Sequence, residues 1–319
     1  MPYNDVSTSN PDLLPIEYSS QVIKEMTEQS AVLGLSRRLT MSTRQTRMPA
    51  VSALARAYWV NGETGLKQTT KNEWTGVNLI VEELAALVPI PHAHMDDSNF
   101  PVWDETRPAV VEAMGAALDA AVLFGVNKPA TWPTPIYQTA YAAGNNILST
   151  YGDDFAVAVA EGARRLKAND GYSVTGFASE PGLQWELVQM RSGDGAPIYQ
   201  TNLSGPITTG LYGRPLQEVG NGAWDSDEAK LIFGDWSKSM VGIRQDITFT
   251  RHESGIINDD SGNVVFNAMQ QDSTIWRAVF RVAWAVARPQ TRIAQSAGLT
   301  TTQRFPFGVV VNSSTYDYS

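Results

Sequence analysis

His92 and His94, followed by Asp96 and Asp97, come nearest to a reactive cluster in this 319-residue chain. In an extended segment alternate side chains share a side, so two imidazoles beside two carboxylates would suit a divalent metal. A metal centre needs further ligands from elsewhere in the fold, and His252 is the only other histidine. So short a match assigns no metal site. Asn258-Asp259-Asp260-Ser261-Gly262-Asn263 is acidic and contains glycine. It lacks the alternating ligands and closing glutamate of a calcium loop, and it is read as a turn. The chain holds no cysteine, no phosphate-cradling glycine loop and no nucleophile elbow. A serine triad would have to recruit one of the three histidines. Catalytic, metal and cofactor residues are therefore assigned as none.

Composition points away from chemistry and towards surface contact. Hydrophobic residues make up 43% of the chain and charged residues only 18%, against roughly 25% charged in an average globular protein. Nine tryptophans accompany this shortage of charge. Buried intersubunit surface has that composition, and so does a tryptophan-rich core. A net charge of −9 argues against a general nucleic-acid-binding surface. Met1–Asp5 lacks the blocks of a signal peptide, and the longest apolar runs, near 84–90 and 282–287, are too short to span a bilayer. A soluble protein made in the cytoplasm, with no membrane partner, is expected.

The elements that would position any site follow from periodicity. Residues 1–15 read as an extended arm, and 16–35 as an amphipathic helix through Val22, Ile23, Met26, Ser30 and Leu33. Between Gln29 and Gly62 lie Arg37, Arg38, Arg44, Arg47 and Arg56 without one acid. A solvated face balanced elsewhere is the simpler reading, and contact with an acidic partner or with DNA is the other. Residues 48–60 and 74–88 read as two long strands joined by a polar turn over 61–72. Arms of some 13 residues would reach roughly 40 Å. A lone two-stranded ribbon is marginal in water, so a neighbouring subunit is expected to cover it. A helix follows, capped by Thr106, with Pro108 in its first turn, the stripe Val111, Met114, Leu118 and Val122, and Gly125 at its end. Residues 140–235 read as an α/β unit, with helices started by Asp153 and by Ser179-Glu180-Pro181. Strands return over 239–250 and 276–286, and the segment beyond 287 has no assigned role.

In this order the elements resemble the major capsid protein of tailed bacteriophages, a fold shared with encapsulins. Glu83–Ile90 followed by Asp97-Ser98 resembles the exit from that family's extended loop. Leu118–Gly125 resembles the end of its spine helix, and Gly234–Ser237 leading into Val241–Arg244 its return strand. The resemblance covers residues 16–290 and implies an α+β fold. It divides the chain into an N-terminal arm (1–47), an extended β-hairpin loop (48–90), a peripheral domain with the spine helix (91–139 and 236–319) and an axial domain (140–235). It implies pentamers and hexamers of an icosahedral virion shell, assembled in the host cytoplasm and enclosing double-stranded DNA without sequence-specific binding. A portal is the implied partner, with decoration proteins as further candidates; no scaffolding segment precedes the arm, so scaffolding is expected to be either a separate protein or unnecessary. The expected intersubunit contacts are Arg37, Arg38, Arg44, Arg47, Trp59, Lys67, Lys71, Trp74, Val77, Leu79 and Val81. Some members join subunits through a Lys–Asn isopeptide bond assisted by a glutamate. Lys67, Lys71 and Asn267 are suitably placed, but no glutamate follows Glu253 and only Asp272 is close, so no cross-link is expected. An encapsulin with enzyme cargo, or a metal-dependent enzyme using His92 and His94, are the alternatives.

Overall fold

Two 14-residue strands, Ser239–His252 and Ser273–Val286, run antiparallel down the middle of a four-stranded sheet. Arg37–Thr40 lies parallel along one edge and Glu82–Pro91 antiparallel along the other. Pro89 and Pro91 are tolerated because an edge strand needs donors on one side only. The computed structural model describes residues 30–57, 59–60, 67, 69–97, 102–151, 154–191, 199, 210–259 and 261–312. The expected arm and most of the helix over 16–35 lie outside them, as does most of the turn over 61–72. Of that helix, Ala31–Leu35 is described.

The long helix, Val102–Leu123, covers one face of this sheet. Its stripe Val111, Met114, Leu118 and Val122 is buried as expected. It begins before the expected Thr106 cap, leaving Pro108 inside it without an N–H for the carbonyl of Asp104. Tertiary packing holds the extra turn: Trp103 stacks on Trp276 at 4.0 Å and meets Phe249 edge-on at 5.2 Å. Gly125, at φ +86°, ends the helix under the ring of Pro135, where a Cβ would collide.

The strand expected over 74–88 is two strands. Glu73–Ile80 pairs with Gln45–Ala53 as a ribbon, whereas Glu82–Pro91 belongs to the four-stranded sheet. The break falls at Val81, whose N–H bonds the carbonyl of Arg44 at 2.9 Å. Beside it the Trp132 indole donates to the carbonyl of Ile80 at 3.2 Å and Thr131 to Glu82 at 2.7 Å. With nine residues in its longer strand, the ribbon's paired part reaches about 30 Å rather than 40.

A second, six-stranded sheet runs in the order Asn146–Leu148, Phe307–Val311, Ala229–Gly234, Gly176–Ser179, Arg214–Glu218, Gly210–Leu211. Helix Phe155–Arg165 is capped by Asp154, which accepts from the Ala156 amide at 3.0 Å; the expected cap, Asp153, lies outside the described residues. Helix Leu183–Gln189 starts later than expected, because Ser179 still belongs to a strand. The main correction concerns the chain beyond 287. It does not stay with the four-stranded sheet: Phe307–Val311 is buried at every residue and lies between two strands of the six-stranded one. An unbroken apolar run such as Phe-Gly-Val-Val-Val is the signature of a strand covered on both faces.

Candidate assembly surfaces

At the root of the ribbon the apolar side chains turn inward. Leu79 and Val81 are buried against Met41, Met240, Ala283 and Ala285, with Val77 and Met48 half-buried on the same cluster. Gly242 makes room for the Met41 sulfur, which a Cβ would strike. Leu79 and Val81 are therefore core residues of their own subunit, and their expected contact with a neighbour is corrected. Alternation explains it: the stripe was identified from its period, and period alone does not say which surface it meets.

The outer part of the ribbon has no such cover. Trp59 is 98% exposed and Trp74 66%, and Lys67 and Lys71 are exposed. Arg37 and Arg38 stand exposed on the edge strand, Arg47 on the ribbon's first arm and Arg44 in the bend just before it. Arg47 lies across Gly76 of the opposite strand, the one position there without a Cβ in its way. Arg44 lines a cleft with Glu82, Glu83, Arg244 and Arg281, in which Arg281 pairs with Glu83 at 2.9 Å. Among the described residues Arg37, Arg44 and Arg47 form no ion pair.

A second apolar projection escaped sequence reasoning. Beyond the central hairpin, Ile256–Asn258 pairs with Val264–Asn267 around the expected turn, which Asp259 organises by accepting from the amides of Ser261 and Asn263. Ile256, Val264, Val265 and Met269 are all exposed there, Met269 by 83%. Asn267 closes this ladder with its side-chain carbonyl, accepting from the Met269 amide at 3.1 Å.

His92 and His94 do not lie in an extended segment, since His92–Asp97 is helical. The His92 ring bridges Asp272 at 2.8 Å through Nδ1 and Thr274 at 2.7 Å through Nε2. An acid, an imidazole and a hydroxyl in that order have the geometry of a charge relay, but Thr274 is fully buried within a strand. The arrangement ties the end of one strand to the start of another. The side chain of His94 lies outside the described residues, and among the described residues no three His, Cys, Asp or Glu groups gather as metal ligands. Asp272, the only acid near Asn267 in sequence, is the one His92 engages. Particles boiled in denaturant should accordingly run as one band at 34.8 kDa, and a ladder of multimers would show cross-linking after all.

Asp119 is the residue the sequence reading missed. It is fully buried in the long helix and accepts four hydrogen bonds: Ser30 Oγ at 2.7 Å, the amides of Ala31 and Val32 at 3.0 and 3.1 Å, and Asn221 Nδ2 at 2.9 Å. It thus caps the first described helix and joins it to the loop beside Val219. Burial pushes its carboxyl above the usual range and outweighs the four bonds that pull it down. The signal was an acid at helical spacing from Val111, Gly115 and Val122, on the buried side.

The sequence matches the phage capsid family over residues 11–291. No curated protein matches it. A solved chain from Microbacterium phage Oxtober96 is 37% identical, with a TM-score of 0.77 over 89% of this chain and 91% of that one. One from Mycobacterium phage Adephagia is 26% identical, with a TM-score of 0.75 over 90% and 91%. At 15% identity, the capsid of a native GTA particle has the same fold, with a TM-score of 0.63 over 89% and 90%. The α+β fold expected from the sequence is the fold these chains have.

Proposed function

Because the chain belongs to the phage capsid family, and is a structural capsid protein, we propose that it is the major capsid protein of a tailed phage. Copies join as pentamers and hexamers into an icosahedral shell around double-stranded DNA, assembled in the host cytoplasm. A portal, with scaffolding or decoration proteins, completes the particle. Residues 1–47 serve as the N-terminal arm and the ribbon as the extended loop. The four-stranded sheet with the long helix serves as the peripheral domain, and the six-stranded sheet, Phe307–Val311 included, as the axial one. The observation that carries this reading is the ribbon: it projects two tryptophans, Trp59 98% and Trp74 66% exposed, and tryptophan is enriched in contacts between proteins. Electron microscopy of the purified protein tests it. Closed shells with a packaged genome support it, shells holding a protein cargo would make it an encapsulin, and uniform monomers would end it.

Charge supports contact between copies. Residues 37–81 carry Arg37, Arg38, Arg44, Arg47, Arg56, Lys67 and Lys71 against Glu63 and Glu73. Residues 82–127 carry Glu82, Glu83, Asp96, Asp97, Asp104, Glu105, Glu112 and Asp119 against Arg107. Asp96, Asp104 and Glu112 are exposed, so one copy offers acids where another offers bases. Such attraction is screened over about 8 Å at physiological salt. Reversing Arg37 and Arg47 to Glu should lower particle yield by about tenfold, equivalent to about 1.4 kcal/mol for the two together, while the subunit's melting temperature holds. Undiminished yield would return these arginines to a merely solvated face.

A further inference from the structure

The ribbon does not leave its subunit freely. Its strands stop pairing at Ala53 and Glu73, and from there four hydrogen bonds tie the outgoing arm to residues 290–295. The Gln290 amide donates to the carbonyl of Val51 at 2.8 Å, and Gln295 Nε2 to that of Leu54 at 2.5 Å. The Arg292 guanidinium donates to the carbonyl of Ala55, and Arg56 Nη2 returns a bond to the carbonyl of Gln295 at 3.1 Å. Two of these acceptors, the carbonyls of Leu54 and Ala55, lie past the last paired residue, and Val51 sits at the register shift just before it. A main-chain carbonyl left so needs a donor from somewhere. Here a segment some 240 residues away supplies it.

The donor segment is itself held fast. Thr291 Oγ1 donates to the carbonyl of Asp170 at 2.5 Å and accepts from the Ala294 amide at 3.1 Å, capping helix Arg292–Ser296. Gly171, at φ +80°, lets Thr291 approach where a Cβ would collide. The Tyr172 hydroxyl donates to the carbonyl of Pro289 at 2.7 Å. Arg304, 1% exposed, spends its guanidinium on the carbonyls of Arg288 and Leu299 and the side chain of Gln290. One partner is anchored to the six-stranded unit, and the other is a two-stranded ribbon with little support of its own.

We propose that residues 290–295 form a clasp within each subunit that fixes the angle at which the ribbon departs, so that Trp59 meets a neighbouring copy from a set position. The clasp rests on the reading of the ribbon as a contact between subunits, but its geometry is tested separately. The chain has no cysteine, so an engineered pair reports without background. Val51→Cys with Gln290→Cys places thiols on residues already joined main chain to main chain, and a disulfide between them requires a Cα separation of about 4.4–6.8 Å. In the purified protein, as assembled, mild oxidation should give a monomer of altered mobility that reductant restores. Dimers linked between subunits, or thiols left free, would overturn the clasp. In a second arm, Arg292→Ala with Gln295→Ala should yield few closed shells, whereas Arg292→Lys, which keeps a donor for Ala55, should yield many. Normal shells from the double alanine variant would also overturn it. The disulfide reads only the path of the ribbon within its own subunit, so it stands or falls whatever the outer ribbon does to a neighbour.

Discussion

A chain in which residues 57–70 are replaced by Asn-Gly folds and yet fails to close into shells. The deleted stretch contains Trp59 and Lys67, and all of its described residues are exposed. The root of the ribbon keeps its cover through Leu79 and Val81, so circular dichroism and melting should change little. What disappears is contact area. A tryptophan buries about 150–250 Å², which at about 25 cal/mol per Å² is about 5 kcal/mol of apolar burial per copy before the costs of association. A shell repeats that contact at every subunit, so its loss should leave free subunits or isolated rings in place of closed particles. Particles of normal size and number from the shortened chain would mean that the ribbon does not join copies.

Asp119→Ala should produce the largest loss of stability from a single side chain. It leaves Ser30 Oγ, two amides and the Asn221 amide group without their acceptor in a dry site. Each stranded group costs about 1–3 kcal/mol, so a total of about 4 kcal/mol and a fall in melting temperature of about 10 °C are expected. Proteolysis near residue 30 should rise in parallel, because the helix Ala31–Leu35 loses its hold. The sign of the pH dependence is opposite to that of a salt-bridged acid. The folded carboxyl titrates above its unfolded value, so its contribution is fully present below the ordinary carboxylate pKa and is lost as pH rises through the raised one. Asp119→Asn should remove that slope. A difference between wild type and Asp119→Asn that stays flat from mildly acid to neutral pH, or that climbs, would contradict it.

Most of the architecture was legible because its periods are clean. The half-buried alternation of 239–250 and the stripe Val111, Met114, Leu118 and Val122 each admit one reading, and both elements are observed. Boundaries moved where distant contacts overrode local signals: Trp103 on Trp276 lengthened the helix, and the Arg44 carbonyl at Val81 split a strand. The stripe at Leu79 and Val81 was found but given to the wrong surface, because its cover comes from Met240 and Ala283, more than 150 residues away. Phe307–Val311 was missed for a different reason. A five-residue apolar run directly after Pro306 has no period to recognise, and its place in a sheet is decided by partners at 146–148 and 229–234. The exposed residues of Ile256–Met269 are invisible to pattern, since an apolar residue bound for a partner looks the same as one bound for the core.

That late strand also dictates when the subunit becomes whole. Asn146–Leu148 leaves the ribosome some 160 residues before its parallel neighbour Phe307–Val311 exists, and the two sit side by side in the finished sheet. Until then Ala229–Gly234 has an open edge, and the growing chain carries an unpaired, apolar template for mispairing. Pairings this distant in sequence are slow to form, because a long loop must close before any contact rewards it. Folding from the N-terminus during synthesis is thus unavailable to the six-stranded unit. Residues 290–295 lie just before that strand and clasp the ribbon, so the ribbon gains its fixed angle only as the sheet receives its last member. On the proposed reading of the ribbon as a contact between copies, the order of synthesis thus sets its presentation after the last strand is made.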